Sequence, residues 1–188
     1  MKLIIPAITL LIACSNQVVA TENNQDNYLE ISRVVLTSDE MSDDFKGFGI
    51  ESKYSINTNM YLNTTYQNYG VSDTDIDRIK VGVGGEYAVN EYVSPLGQLD
   101  YVYVDSKSNN FSAVIKYWII GIGISGSIDN LTYKAGISRY QAISAEIESD
   151  TGHFAEVFYS FSNNLSAGFK VESADESDMR HISVRYNY

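Results

Sequence analysis

The residues in this chain best equipped for chemistry are carboxylates, and they come in clusters: Glu40, Asp43 and Asp44; Asp73, Asp75 and Asp77; Glu146, Glu148 and Asp150; Asp175, Glu176 and Asp178. Carboxylate oxygens are hard donors suited to Ca²⁺ or Mg²⁺. Weak divalent-cation binding is therefore one expectation, with Asp73, Asp75, Glu146, Glu148, Asp175 and Asp178 as candidate ligands. The competing expectation is a solvated, mutually repulsive surface. His181 and Ser183 stand one residue apart and pair a base with a nucleophile, but a hydrolytic triad also needs an acid to orient the imidazole, and none follows Ser183. His153, near Glu146, Glu148 and Asp150, reads as a solvated loop histidine. The sequence has no cysteine–histidine cluster, phosphate-cradling loop or calcium-loop spacing. No catalytic residue and no cofactor is assigned, and the expectation is a non-enzymatic protein.

Charge narrows the partners. The 188 residues carry a formal net charge of −11, whereas a nucleic-acid partner needs a basic footprint. The N-terminus has the build of an export signal: Lys2, the apolar run Leu3 to Ala13, then Val18-Val19-Ala20 where a signal peptidase would read small or compact side chains. The expected organisation is a signal peptide over 1–20 and one domain over 21–188. Leu11-Ile12-Ala13-Cys14 resembles the site at which lipoproteins are cut and acylated, which is a competing way to process the same segment. Cys14 is the only cysteine, so the exported body holds no disulfide. Beyond the signal the longest apolar stretch, Tyr117 to Ile124, is too short for a membrane-spanning helix.

The elements that would carry these residues are strands. From about residue 46 onward apolar residues recur at every second position, the period of a strand and not of a helix. Trp118, Ile120, Ile122 and Ile124 share one face and Gly121, Gly123, Ser125 and Ser127 the other. The same pattern recurs over 78–89, 131–138, 165–172 and 181–188. A polar face bathed in water would carry abundant charge. This one is rich in Gly and Ser, with a few charges of both signs: Glu51, Lys53, Lys80, Glu86, Asp100, Lys134, Glu156, Lys170 and Arg185. That composition suits a narrow interior and implies an apolar exterior. Fifteen tyrosines cluster at the strand ends, where membrane barrels carry aromatic girdles. Tyr87, Tyr92, Tyr133, Tyr159, Phe161, Tyr186 and Tyr188 fall at one end, and Phe48, Tyr66, Tyr69, Tyr103, Phe111, Tyr140 and Phe154 at the other.

Asn-rich turns at 57–59, 90–91, 129–130 and 163–164 alternate with longer acidic links at 37–45, 71–77, 105–110, 144–152 and 173–179. Short periplasmic turns alternating with longer extracellular loops are the signature of an outer-membrane barrel. The fold expected is all-β, a closed antiparallel up-and-down transmembrane β-barrel. Ten strands are expected, over roughly 27–37, 46–56, 60–70, 77–89, 92–105, 111–128, 131–143, 153–162, 165–173 and 180–188. Eight are the alternative, because Arg33 shares a face with Leu29, Ile31 and Val35.

The final strand, His-Ile-Ser-Val-Arg-Tyr-Asn-Tyr ending on Tyr188, looks like the C-terminal signal by which such barrels are recognised for assembly. Taken with the signal peptide and the turn pattern, it makes residues 21–188 resemble the small OmpA/OmpX-like outer-membrane barrel superfamily. The resemblance implies an integral outer-membrane location. It also implies outer-membrane lipid and lipopolysaccharide as partners, with the barrel-assembly machinery reading the last strand. The function expected is a structural or surface-interaction role through acidic extracellular loops, and divalent cations at those loops are a further expected partner. The alternative is a narrow porin-like channel for ions or small solutes, for which the inward glycines would leave room.

Overall fold

A computed structural model describes residues 27–38, 43–90, 92–109, 111–143, 149–174 and 177–188. The signal peptide, Cys14, Glu40, Glu146, Glu148, Asp175 and Glu176 lie outside the described residues. Ten strands follow one another: β1 (Tyr28–Ser38), β2 (Phe45–Asn57), β3 (Met60–Val71), β4 (Thr74–Glu86), β5 (Ser94–Ser108), β6 (Phe111–Ile128), β7 (Leu131–Ala142), β8 (Asp150–Ser160), β9 (Leu165–Ala174) and β10 (Ser177–Asn187). Each pairs antiparallel with its neighbours in sequence. β1 closes the ring against β10, from Tyr28 opposite Asn187 to Ser38 opposite Ser177. The eight-strand alternative is overturned, because β1 forms full ladders on both sides.

Closure is what makes the strand period sufficient as a design. The ladders run round the whole ring, with one irregularity between Ser55 and Asn57, so no open sheet edge is left to meet lipid. The side chains then divide by parity into a lumen and an outer wall. In β1, Tyr28, Glu30, Ser32 and Val34 are buried while Leu29, Ile31 and Arg33 are exposed.

The turns follow from asparagine. Asn57 Oδ1 accepts hydrogen bonds from the backbone amides of Asn59 and Met60 at 2.9 and 3.0 Å. Asn90 Oδ1 does the same for Tyr92 and Val93, both at 2.9 Å. These side chains stand in for a backbone carbonyl at the bend. In the β6–β7 connection Asp129 adopts φ 52°, a left-handed conformation that Asp tolerates better than most residues.

The acidic links on the opposite rim are shorter than their composition suggests. β4 begins at Thr74 and β5 runs to Ser108, so Asp75, Asp77 and Asp105 are strand residues and not loop residues. Only Ser72, at φ 50°, and Asp73 separate β3 from β4. Paired strands can continue past the apolar belt as long as the outward residues are polar, and the acids provide that polarity.

Candidate functional site

The lumen is organised around charge. In the middle of the lumen Lys53, Arg78, Lys80, Lys134, Lys170 and Arg185 point inward, as do Glu30, Glu51, Glu86, Asp100, Glu156 and Glu172, so six cations face six carboxylates there. The densest part joins the closing seam to the far wall. Arg185 donates through Nε and Nη2 to Glu30 Oε2 at 3.2 and 3.0 Å. Its guanidinium lies between the rings of Tyr28 and Phe158, 3.8 and 3.7 Å from their centres. Lys170 meets Glu30 at 2.9 Å and Glu51 at 3.0 Å, and the hydroxyl of Tyr28 donates to Glu51 at 2.5 Å. The chain of pairs continues through Glu156 to Lys134 at 3.6 Å, Lys134 to Glu86 at 3.2 Å and Glu86 to Lys53 at 3.3 Å. Glu30, Glu86, Glu156, Lys134, Lys170 and Arg185 each face two or more charges of the opposite sign, which is the condition under which buried ions are tolerated.

Nearer the loop rim, Arg78 and Lys80 share Glu172 at 3.3 and 3.5 Å, and Arg78 also donates to Gln67 at 2.9 Å. Beyond them the lumen turns apolar. Val34, Phe45, Tyr69 and Met179 form a buried cluster with Leu36, Val71 and Ile76 against it, and Phe45 and Tyr69 meet edge to face at 6.4 Å. All nine charges expected on the inner face lie there, joined by Glu30 and by this cluster, neither of which the alternation singles out. Tyr69, Tyr140 and Phe154, expected in the girdle, are turned inward by their parity. In β1 the even positions run Tyr28, Glu30, Ser32, Val34, Leu36. The charge and the plug share that one face, a signal present in the sequence but masked by Arg33 on the other.

The inward glycines face bulky neighbours. They give space to large side chains on neighbouring strands: a Cβ at Gly84 would overlap the Tyr61 ring, at Gly168 that of Phe158, at Gly136 that of Phe154, and at Gly121 the Gln98 side chain. What space remains is divided. A cavity of about 70 Å³ lies mid-barrel among Asn63, Lys80, Ser138 and Glu172. A vestibule of about 680 Å³ opens at the turn rim, lined by Lys53, Glu86, Lys134, Asn163 and Arg185.

Of the sequence-derived metal candidates, Asp73 and Asp75 are exposed at the loop rim, and Asp178 pairs with Arg180 at 3.4 Å. Among the described residues no three histidine, cysteine or acidic side chains converge on a metal position. Glu146, Glu148 and Asp175 lie outside the described residues. His181 and Ser183 face the lumen and are 4% and 1% exposed. His153 is a strand residue on the outer wall, opposite Ile137 and Ser173, and not part of a loop.

The outer wall reverses the usual rule of burial. Ile31, Ile122, Ile137 and Ile182 are each more than half exposed, and they belong to a continuous apolar belt around the barrel. A belt of that extent is untenable in water. Toward the turn rim it ends in exposed Tyr87, Tyr92, Tyr159, Tyr186 and Tyr188. Toward the loop rim it ends in Phe48, Tyr66, Tyr101, Tyr103 and Trp118, with Phe48 against Tyr66 and Tyr101 against Trp118, ring centres 6.1 and 5.2 Å apart. The chain is an integral outer-membrane β-barrel.

Its short turns and both ends of the strand succession share one rim, which that class places in the periplasm. No protein-family model matches the chain, and no curated protein matches it in sequence. Solved structures do resemble it. The β domain of the Bordetella autotransporter BrkA superposes with a TM-score of 0.56 at 10% identity, over 88% of this chain and 100% of that one. The N-terminal β-barrel domain of Pseudomonas aeruginosa OprF gives 0.48 at 12% identity, over 88% and 100%. Ail, the attachment invasion locus protein of Yersinia pestis, gives 0.41 at 13% identity, over 87% and 96%. At these identities the likeness is one of fold.

Proposed function

We propose that this protein is a closed, non-enzymatic outer-membrane barrel that serves the envelope as a structural element and acts outward through its acidic loop rim. The observation that carries this reading is the cross-section of the lumen. An apolar cluster of Val34, Phe45, Tyr69 and Met179 fills it on the loop side, and a network of charges of both signs fills the middle. An ion would have to leave water to pass either layer, and an apolar constriction bars it as firmly as a paired one. The burial of His181 and Ser183 favours a role without catalysis, since neither can reach a substrate outside the wall.

The test is conductance of the purified barrel in planar bilayers. The expected record is a flat baseline at all voltages that the membrane tolerates, and steady unitary steps would overturn the reading. A narrow channel is the second reading, favoured by the vestibule of about 680 Å³ that already reaches into the lumen from the turn rim. For the loop rim, neutralising Asp73, Asp75 and Asp178 is expected to abolish surface interactions of intact cells while leaving the barrel folded. Unchanged behaviour would count against the outward role.

A further inference from the structure

The outer wall carries a second pattern that the closed lumen does not explain. Arg33, Lys46, Lys107, Lys116, Arg139 and Arg180 all point outward and are exposed. All lie on the loop side of the belt, and the turn side carries no outward cation among the described residues. Three of them converge on adjacent strands. Arg33 on β1 stands between Phe48 of β2 and Ile182 of β10. One outward step toward the loops, Val35 stands between Lys46 of β2 and Arg180 of β10.

Strands lie about 4.8 Å apart, so Lys46 and Arg180 flank β1 at a separation of about 10 Å. Arg33 rises between them from the edge of the apolar belt, and three long side chains can meet there on one doubly charged group. Arg180 has Asp178 at 3.4 Å. Arg33 and Lys46 form no ion pair among the described residues. A cation facing hydrocarbon is costly, and at Arg33 the neighbours are Ile182 and Phe48. Long cationic side chains resolve that cost by reaching toward the interface. The β4–β5 wall differs: there the outward loop-side positions include Asp75, Asp77 and Asp105, with Asp77 accepting from Tyr66 at 2.7 Å and Asn68 at 3.1 Å, and the one outward cation, Lys107, is paired with Asp105. Lys107, Lys116 and Arg139 are spread singly over β5, β6 and β7, so among the described residues the convergence of three outward cations within one step of register is local to β10, β1 and β2.

We infer that Arg33, Lys46 and Arg180 form a binding site for the phosphate of a phosphorylated glycolipid of the outer leaflet, held against the closing seam with its acyl chains along Ile31, Ile182 and Val184. The site sits where a lipid phosphate lies, at the junction of apolar belt and water. It supplies guanidinium forks that suit phosphate geometry. It lies on the leaflet that the short-turn rule makes external. A basic pocket at that depth is the recognised chemistry for anionic headgroups.

The test uses the full barrel, purified in mild detergent, with bisphosphorylated lipid A, fully dephosphorylated lipid A, phosphatidylglycerol and inorganic phosphate as separate probes, and bound lipid counted by native mass spectrometry. Bisphosphorylated lipid A is expected to be retained. Each cation removed in R33Q, K46Q and R180Q should weaken it about fivefold, while K107Q, on the opposite wall, should change nothing. Equal retention of dephosphorylated lipid A, equal retention of phosphatidylglycerol, equally tight binding of inorganic phosphate, or no loss in the triple variant would each overturn the assignment. Folding is checked by the change in electrophoretic migration on boiling. Should the triple variant fail that check, the single variants R33Q and R180Q carry the same expectation with a smaller loss.

Discussion

Glu30 is the residue on which most of the interior depends. It is 2% exposed, accepts two donors of Arg185 and one from Lys170, and has no solvent to fall back on. Replacing it with Gln keeps the shape and removes the charge, which leaves two cations under-compensated in a medium that screens them poorly. A loss of about 3–5 kcal/mol in urea unfolding of the detergent-refolded barrel is expected for E30Q. R185M added to E30Q should recover part of that loss, since the partner charge is then gone as well and Glu156, the other carboxylate near Arg185, keeps Lys134 and Lys170. Gly84 offers a second test at this scale. A methyl group there must displace the Tyr61 ring, and overpacking of that kind costs about 1–3 kcal/mol. G84A should therefore unfold at lower urea with no change in lumen charge. Neither effect could be read from composition. The glycines were visible as a stripe, but whether a stripe of glycines means space or accommodation depends on which side chain the neighbouring strand places opposite, and register decides that.

At the level of the strand, the alternation was legible because each face has a different solvent. β6 shows it best: Trp118, Ile120, Ile122 and Ile124 outward, Ile119, Gly121, Gly123 and Ser125 inward. The ends were harder. Asp75, Asp77 and Asp105 look like loop residues because acids are rare in strands, yet they extend β4 and β5 beyond the belt, where the outer face meets water. A sequence window cannot distinguish a loop from a strand that has left the membrane. Depth can be measured directly. Ile122→Lys, in the belt, should cost about 2–4 kcal/mol and hinder insertion, with the penalty falling toward zero for Val114→Lys at the loop end of the same strand. Insertion into lipid vesicles, followed by protease protection, separates the two. Equal penalties would mean that β6 does not cross the bilayer as described.

Taken whole, the molecule balances six cations against six carboxylates in the middle of its lumen, among the described residues, so the net acidity of the sequence is carried outside that layer. The location and architecture were legible from parity, turns and aromatic placement, because those are properties of the wall. The plug was not, because Val34, Leu36, Phe45, Tyr69 and Met179 are apolar residues on a polar face, and only closure of the ring brings them together. The whole-molecule expectation is a heat-modifiable species in purified outer membranes. A soluble periplasmic protein with no change in migration on boiling would reverse inside and outside for every residue named above.

Closure also fixes the order in which the interior can become satisfied. Glu30 lies on the first strand, and its cations, Lys170 and Arg185, on the last two. A growing sheet that adds hairpins in sequence keeps these groups at its two free edges, hydrated and apart, until β1 meets β10. The final zipping step therefore both seals the wall and neutralises the seam, so a half-assembled barrel keeps ionised groups along its margins and holds water in the bilayer around it. Its last strand-to-strand encounter is drawn together by opposite charges, which gives the two ends of the sheet a means of finding each other in preference to the edges of any other sheet.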